Sequence, residues 1–233
     1  MDVNILHLVE GARQAKGLTV IIDVFRAFSV EAMLMHNHAE KIIPVGSVEE
    51  AFAYRCQHPD AILCGERGGI MCDGFDYGNS PSQVADVDFT GKTVVHTTSA
   101  GVQGIVNATG ADEILGGSLM TAKAIATYIR QKRPETVSLV AMGLAGVRQT
   151  EEDELCALYI KSLLEGTPLP DLEQQVFDLR YTEGAKFFDP QKQSVFPEQD
   201  FHLCTMYDRF DFVLRLRKTS GAGCGTMERV PVL

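Results

Sequence analysis

The sequence predicts an α/β fold, with a mixed, largely parallel sheet layered with helices on both faces. Two observations support this prediction. Apolar runs of strand length recur along the chain, and segments with the periodicity of an amphipathic helix lie between several of them. Alternating strands and helices are typical of parallel sheets, because the crossover helices cover the faces of the sheet. Ligands of such proteins bind beyond the carboxyl ends of the strands, so polar residues at those ends are candidates for function.

The predicted elements follow one another along the whole chain. Apolar runs predict strands at 18–22, 41–45, 61–64, 93–96, 113–115 and 137–142. Helical periodicity predicts helices at 47–56, 119–131 and 152–164. Residues 210–218 alternate like a partly exposed strand, and SGAGCG at 220–225 favours a flexible turn. We predict a single domain over residues 1–233, in which 165–171 is the best internal breakpoint and is interpreted as a loop.

Composition and charge exclude several classes of function. With 45% hydrophobic residues, the 233-residue chain can bury a sizeable core. No apolar run reaches the roughly 18 residues of a membrane span, and Asp2 stands where a signal peptide would carry basic residues. We therefore expect a cytoplasmic protein without a membrane partner. The net charge of −10 and the scattered Lys and Arg residues argue against nucleic acid as a partner.

Several familiar motifs are absent from the sequence. The six cysteines form no C-x-x-C pair, so we expect reduced thiols rather than a disulfide framework or a zinc site. The chain has no G-x-x-x-x-G-K-[ST] phosphate loop, no G-x-S-x-G elbow and no H-E-x-x-H helix. The first absence argues against ATP chemistry. The other two argue against a serine hydrolase of the nucleophile-elbow type and against a zinc metalloprotease.

An acid and a base follow the first predicted strand, in VIIDVFRAFS. Asp23 stands where the buried strand ends, and Arg26 lies about one turn further along if a helix begins there. A buried ionised carboxylate must be paired, hydrogen-bonded or bound to a metal, because an isolated one is too costly to bury. An ion pair between Asp23 and Arg26, a helix N-cap and a ligand site are all compatible with this segment.

Two further polar segments follow the third predicted strand. CGERGG joins an acid to a base, Glu66 and Arg67, among glycines that let the backbone approach a ligand, with a charged turn as the alternative. In GFDYGNSP, Asn79 or Ser80 before a proline is a good helix start. The N-terminus of such a helix can also receive an anion.

The fourth predicted strand runs into three hydroxyl residues in VVHTTSAGVQG. Thr97, Thr98 and Ser99 lead into a stretch of helical periodicity. Hydroxyl and N–H groups at a strand-to-helix turn make a cradle for phosphate or carboxylate, and a serine N-cap is the alternative. In TEEDELCALYI, Glu152 and Asp153 fill the first turn of a helix, where the helix dipole favours acids, or they face the same crevice.

Together these segments resemble a known family. DVFRAFS, GERGG, GFDYGNSP, TTSAGVQG and EDELCA are similar, in this order, to the signature segments of the 2-phosphosulfolactate phosphatase family, the ComB-like proteins. The similarity extends from about residue 18 to about residue 160. It implies an α/β fold particular to the family, Mg²⁺-dependent hydrolysis of 2-phosphosulfolactate to sulfolactate as in coenzyme M biosynthesis, and a homodimer.

The resemblance also implies roles for individual residues. The expected catalytic residues are Asp23, Arg26, Glu66 and Arg67. The expected Mg²⁺ ligands are Asp23, Glu66, Glu152 and Asp153. The expected residues for binding phosphate and other substrate oxygens are Asn79, Ser80, Thr97, Thr98, Ser99 and Gly101. In this scheme the two arginines bind anionic groups of a small phosphorylated substrate.

Two other functions stay open from the sequence. One is a phosphatase that acts on another small phosphorylated carboxylic acid. The other is an anion-binding protein without catalytic activity. The acidic residues favour catalysis, because an anion receptor gains nothing from three nearby carboxylates unless a cation lies between them.

Overall fold

The computed structural model describes residues 1–218 and 225–232, and the turn predicted at 220–225 lies outside them apart from Gly225. The described strands are β1 (Asp2–His7), β2 (Gly17–Ile22), β3 (Lys41–Pro44), β4 (Ile62–Arg67), β5 (Ile70–Met71), β6 (Thr93–Thr97), β7 (Ala111–Gly117), β8 (Thr136–Ala141), β9 (Phe212–Arg217) and β10 (Thr226–Pro231). The described α-helices are α1 (Leu8–Gln14), α2 (Ala27–His36), α3 (Val48–Gln57), α4 (Pro81–Val84), α5 (Gly101–Asn107), α6 (Ala122–Lys132), α7 (Glu151–Glu165), α8 (Leu172–Asp178) and α9 (Glu198–Cys204). Short 3₁₀ helices cover Leu119–Thr121, Leu179–Tyr181 and Glu183–Phe188.

The ten strands of the described chain form one open sheet, in the order β1-β8-β2-β7-β9-β10-β3-β6-β4-β5. Strands β1, β8, β2 and β7 run parallel to one another, and so do β3, β6 and β4. Strands β9 and β10 are antiparallel to their neighbours and lie in the middle of the sheet, whereas β5 is antiparallel at one edge. The sheet is therefore mixed and largely parallel, as predicted.

Helices cover both faces of this sheet. Along β2, Ile21 packs into one hydrophobic cluster with residues of α1, α2 and α5. Val20 and Ile22 pack into a second cluster, with residues of α6 and α7. Successive side chains of a strand point to opposite faces of the sheet, so these two groups of helices lie on opposite sides. The predicted fold class is confirmed.

The predicted elements agree with the observed ones to within a few residues, with one change of type. The helix expected at 119–131 begins as a 3₁₀ turn and continues as α6. The sequence analysis did not predict β1, α1 or β10. In β1 (DVNILH) and β10 (TMERVP), polar residues interrupt the apolar ones, so neither strand contains a continuous apolar run.

The segment at 165–171 joins α7 to α8. The assignment of residues 1–233 to one domain stays a prediction. Among the helices of the described residues, none combines the length and the apolar character that crossing a bilayer requires.

Candidate active site

A cavity of about 380 Å³ opens at the carboxyl ends of the parallel strands. Residues that follow β2 and β8 line this cavity together with residues at or after the ends of β4 and β6. The two groups of parallel strands run in opposite directions, because the antiparallel pairings of β9 and β10 lie between them, so the curvature of the sheet and not a shared edge brings these loops together. The residues that line the cavity are Asp23, Phe25, Arg26, Glu66, Gly68, Gly69, Asn79, Ser99, Ala100, Gly143, Leu144, Ala145, Thr150, Glu152, Asp153, Lys186 and Phe196. All four carboxylates that the sequence analysis selected as metal ligands are among them.

Asp23 lies between the end of β2 and the start of α2 and is buried. Its Oδ1 accepts a hydrogen bond from the backbone N–H of Ala27 at 3.2 Å, and its Oδ2 accepts one from Gly101 at 2.8 Å. Burial raises the pKa of Asp23 to about 6, and the nearby Glu66 charge adds to the increase, although the two N–H donors oppose it. The carboxylate is therefore held in place and poorly solvated.

Glu152 and Asp153 belong to the first turn of α7 and are both buried. The two oxygens of Asp153 accept the N–H groups of Val24 and Gly143, each at 2.8 Å, so this carboxylate joins the loops after β2 and β8. Burial, with the charges of Glu152 and Asp23, raises the pKa of Asp153 well above its ordinary value. Oε2 of Glu152 is buried without a hydrogen-bond partner, and burial raises the pKa of this group to about 7.

Glu66, at the end of β4, has a different environment. Its Oε1 accepts the N–H of Ser99 at 2.7 Å, and its Oε2 accepts the N–H of Gly69 at 2.6 Å and the hydroxyl of Ser99 at 3.2 Å. These bonds fasten the loop after β4 to the start of α5. Glu66 therefore lines the cavity with most of its hydrogen-bonding capacity already used.

The acids of the cavity fit a divalent cation that prefers oxygen ligands. Asp23, Glu152 and Asp153 are buried close enough to affect one another's protonation, and one Glu152 oxygen is unpartnered. A cation would relieve both the repulsion and the burial cost. Within the described residues, no three His, Cys, Asp or Glu side chains are placed to coordinate one ion together.

Arg26 lines the cavity. It does not form the ion pair with Asp23 that was one of the three interpretations of the sequence. Its Nη1 donates to Oδ2 of Asp200 and to the carbonyl of Val195, both at 2.8 Å, and its Nη2 donates to the carbonyl of Gly69 at 3.1 Å. Most of its charge is therefore balanced by Asp200. The guanidinium retains donors for a ligand, because these bonds use only part of its five N–H groups.

Four of the expected substrate-binding side chains lie behind the cavity wall. The Ser80 hydroxyl donates to Oδ1 of Asp200 at 2.8 Å. Arg67 donates to Oγ1 of Thr97 at 2.9 Å, and Oγ1 of Thr98 accepts the N–H of Val102 at 3.1 Å as a local helix cap. Each of these groups already has a protein partner. The structure thus brings neither Arg67 nor the hydroxyls of these three residues into the cavity wall.

The start of α5 was expected to cradle phosphate, and here its N–H groups bind protein carboxylates. Ser99 donates to Glu66 and Gly101 donates to Asp23. The carboxylates compete for these donors because the N-terminus of a helix attracts negative charge. Gly101 also has no room for a side chain, since an added Cβ would lie 2.8 Å from that of Ala27 and 2.9 Å from Oδ2 of Asp23. Of the predicted phosphate-binding side chains, Ser99 and Asn79 line the cavity.

A buried polar chain reaches Asn79 from the interior. Nδ1 of His96 lies 2.9 Å from Oε1 of Glu31, and its Nε2 lies 3.3 Å from Oδ1 of Asn79. Glu31 and His96 are fully buried. Oδ1 of Asn79 is the amide atom that faces His96, and the amide nitrogen of Asn79 donates no hydrogen bond within the described residues.

The sequence analysis selected none of Glu31, His96, Lys186 and Asp200 as site residues. His96 stood directly before the hydroxyl cluster, which was a local signal for its position. The other three had no local signal. Lys186 and Asp200 belong to the C-terminal third of the chain and reach the cavity only through the tertiary fold.

Comparison with known proteins identifies the family. The model of the 2-phosphosulpholactate phosphatase family matches residues 4–219 of the chain. The chain belongs to this family. A Bacillus subtilis protein named "Probable 2-phosphosulfolactate phosphatase" is 29% identical over 215 residues, which cover 91% of this chain and 92% of that protein. A protein of the same name from Carboxydothermus hydrogenoformans is 34% identical over 178 residues, 76% of this chain and 73% of that protein.

The family assignment confirms the resemblance that the five motifs indicated. Members of the 2-phosphosulfolactate phosphatase family are phosphoric monoester hydrolases, so the chain is an enzyme of that class. The match also extends beyond the motifs into the C-terminal third, where Lys186 and Asp200 lie.

Proposed function

We propose that this protein hydrolyses the phosphate ester of 2-phosphosulfolactate to sulfolactate and phosphate, and that the reaction requires Mg²⁺. The family and the names of the relatives support this substrate. The size of the cavity supports a small ligand, because about 380 Å³ is near the lower end of the roughly 300–1,000 Å³ that is usual for ligand pockets.

The observation that carries the proposal is the group of buried acids in one cavity. Asp23 and Asp153 would hold Mg²⁺, since both face the cavity and are fixed by backbone N–H groups. Glu66 is less available because its oxygens already accept three hydrogen bonds. When bound, the ion would neutralise negative charge on the phosphoryl oxygens and orient the ester.

In this proposal Glu152 takes the proton of the attacking water. Its unpartnered Oε2 can accept a proton, and a pKa of about 7 suits proton transfer at neutral pH. We propose direct attack by water rather than attack by Asp23, because both Asp23 oxygens already accept backbone N–H groups. Trapping an aspartyl phosphate on Asp23 by acid quench would overturn this choice.

Asn79, Ser99 and Arg26 would bind phosphate oxygens. Oδ1 of Asn79 faces His96, so its amide nitrogen is the atom placed to donate to a ligand in the cavity. Arg26 has N–H groups beyond those bonded to Asp200, Val195 and Gly69. Oriented donors of this kind stabilise a transferring phosphoryl group without reorganising during the reaction.

The test is phosphate release from racemic 2-phosphosulfolactate, with added Mg²⁺ in one series and EDTA in the other. We expect release with Mg²⁺ and none with EDTA. A panel of other phosphorylated three-carbon acids tests the substrate, since preference for one of them would replace 2-phosphosulfolactate in the proposal. Ligand-dependent thermal stabilisation without phosphate release in excess Mg²⁺ would instead indicate an anion-binding protein.

Three further expectations accompany this proposal. A homodimer is tested by size-exclusion chromatography with light scattering. A cytoplasmic location is tested by cell fractionation. A role in coenzyme M synthesis is tested by asking whether deleting the gene lowers coenzyme M in the host.

A further inference from the structure

Lys186 is the cation of the cavity wall whose charge is not balanced by a close carboxylate. Only two basic residues line the cavity among those that the structure describes, Arg26 and Lys186. Arg26 is paired with Asp200 at 2.8 Å. For Lys186, no carboxylate of the described residues lies within salt-bridge distance, and its ammonium donates no hydrogen bond within them.

The two acids that Lys186 influences do not form a close pair with it. The positive charge of Lys186 acts to lower the pKa values of both Glu152 and Glu183. Glu183 is already engaged by Arg148, which donates to both of its oxygens at 2.5 and 2.9 Å. Glu152 keeps an unpartnered oxygen, so it is not bonded to Lys186 through that atom. The ammonium therefore retains three N–H donors for a ligand in the cavity.

Aromatic rings surround the ammonium on the protein side. Nζ of Lys186 lies 5.4 Å from the ring centroids of Phe187 and Phe196 and 5.8 Å from that of Phe25. These distances are within the roughly 6 Å range of cation–π attraction. The rings attract the cation, but they provide no hydrogen-bond acceptor. Lys186 is half-buried, so an anion that reaches this position meets a positive charge whose N–H donors are not used by the described protein.

The geometry points to Lys186 as the binding site for the sulfonate of the substrate, at the end of the cavity formed by Phe25 and Phe196. This inference rests on the proposed function, because it assigns a binding residue to one of the three anionic groups of the same substrate, the others being the phosphate and the carboxylate. The acids around Asp23 are suited to the phosphate through a divalent cation, whereas they would repel a second free anion. The ammonium beside the rings offers the complementary charge.

A sulfonate suits this position better than a carboxylate. A planar carboxylate is best matched by the planar fork of arginine, whereas lysine offers a compact charge with three donors. A sulfonate presents three equivalent oxygens around one sulfur atom, which matches the three donors. Sulfonate is also less strongly hydrated than carboxylate, so it loses less when it moves into a site walled by aromatic rings.

The experiment compares three substrates on the wild type and on Lys186→Met. The substrates share the C1 carboxylate and the phosphate ester and differ at C3, which carries a sulfonate in 2-phosphosulfolactate, a second carboxylate in 2-phosphomalate and only hydrogen in 2-phospholactate. Loss of one charged hydrogen bond predicts a roughly 10- to 150-fold fall in kcat/KM for 2-phosphosulfolactate. For 2-phospholactate we expect a change of less than about twofold, because it lacks the group that Lys186 binds.

Matched variants separate recognition from folding. Lys192 is an exposed lysine paired with Asp189 at 3.2 Å outside the cavity wall, so Lys192→Met should leave all three substrates unchanged. Lys186→Arg keeps the charge and should retain more of the activity on 2-phosphosulfolactate than Lys186→Met does. An equal loss on 2-phosphosulfolactate and 2-phospholactate, or no loss on either, overturns the inference. A loss on 2-phosphomalate as large as that on 2-phosphosulfolactate overturns the assignment to sulfonate.

A binding measurement keeps this inference separate from the proposed function. Sulfolactate has the sulfonate but no phosphate, so its calorimetric affinity does not depend on turnover. We expect Lys186→Met to weaken sulfolactate binding by roughly tenfold or more while lactate shows no difference. If no substrate releases phosphate but this effect is present, the proposed function fails and the sulfonate site stands. If phosphate is released but Lys186→Met binds sulfolactate as tightly as the wild type does, the sulfonate site fails and the proposed function stands.

Discussion

Arg26 and Asp200, 174 residues apart in the sequence, form an ion pair with 2.8 Å between Nη1 and Oδ2, and the exposed fractions of the two side chains are only 3% and 0%. The other oxygen of Asp200 accepts three hydrogen bonds, from the hydroxyl groups of Ser80 and Ser82 and from the N–H of Ser82. Asp200 thus connects the loop after β2 to the start of α4. Its role is to neutralise a buried guanidinium at the wall of the cavity.

The first prediction concerns this pair. Asp200→Asn should destabilise the protein by about 3–5 kcal/mol, because the variant leaves the Arg26 charge buried without its counter-ion. Urea denaturation at neutral pH measures the change. Asp60 is exposed, so Asp60→Asn serves as the control and should change stability by less than about 0.5 kcal/mol. A loss below about 1 kcal/mol in Asp200→Asn would show that the pair contributes little.

Asp23→Asn should separate activity from stability. We expect phosphate release to fall roughly 100-fold or more, because the amide cannot replace a carboxylate beside the ion. Stability should stay within about 1 kcal/mol of the wild type, since the amide loses one N–H partner but also removes repulsion with Glu66. Phosphate release and urea denaturation are measured on the same preparation. Retained turnover with a loss of several kcal/mol would mean that Asp23 has a structural role only.

The stability of the metal-free protein should depend on pH. The folded-state pKa values of about 6 for Asp23 and about 7 for Glu152 exceed the ordinary values of 3.8 and 4.5. The folded protein therefore binds more protons than the unfolded chain between these values, and this contribution is complete below about pH 4 and is lost as pH rises through 6 and 7. From pH 5 to pH 8 in EDTA, the free energy of unfolding should fall by on the order of 4 kcal/mol.

Two comparisons test the cause of that dependence. Excess Mg²⁺ at pH 8 should restore most of the lost stability, because the cation stabilises the ionised acids. Glu152→Gln should lose about two thirds of this change, since Glu152 with its higher pKa titrates over about two pH units above pH 5 and Asp23 over about one. Stability that is constant from pH 5 to pH 8 in EDTA would contradict the buried-acid explanation.

Arg67→Lys should have little effect on substrate binding. Arg67 lies outside the cavity wall, where it donates to Oγ1 of Thr97 and to the Glu66 carbonyl. We expect KM to change by less than about twofold and stability to fall by about 1 kcal/mol through the weakened hydrogen bonds. Steady-state kinetics and urea denaturation measure the two effects. An increase in KM of about tenfold, or 1.4 kcal/mol of binding, would place Arg67 in contact with substrate after all.

The class of fold was predictable from the sequence because its buried parallel strands are continuous apolar runs. Strands β2, β6 and β8 have this character, and their helices follow with clear periodicity. The central position of β10 was not predictable, because TMERVP alternates in polarity like an exposed strand. It pairs with its neighbour in sequence, β9, but its other pairing, of Met227 with Ile42 of β3, joins residues that are far apart in the sequence.

The acidic part of the candidate site was also predictable, because each acid lies at or after the end of a strand. Asp23 directly follows β2, Glu66 lies at the end of β4, and Asp153 lies in the first turn of α7, the helix after β8; all three line the same cavity. The partner of each basic group was not predictable. Asp200 occurs in EQDFHLC, where an acid in the first turn of a short helix indicates a favourable interaction with the helix dipole. Only the tertiary fold brings it to Arg26.

The position of β9 and β10 has a consequence for biosynthesis. These strands join the half-sheet that carries Asp23 and Asp153 to the half-sheet that carries Glu66, Asn79 and Ser99. Until residues 212–231 emerge from the ribosome, the two halves lack the strands that connect them. The sheet that carries the candidate active site can therefore be completed only when translation is nearly finished.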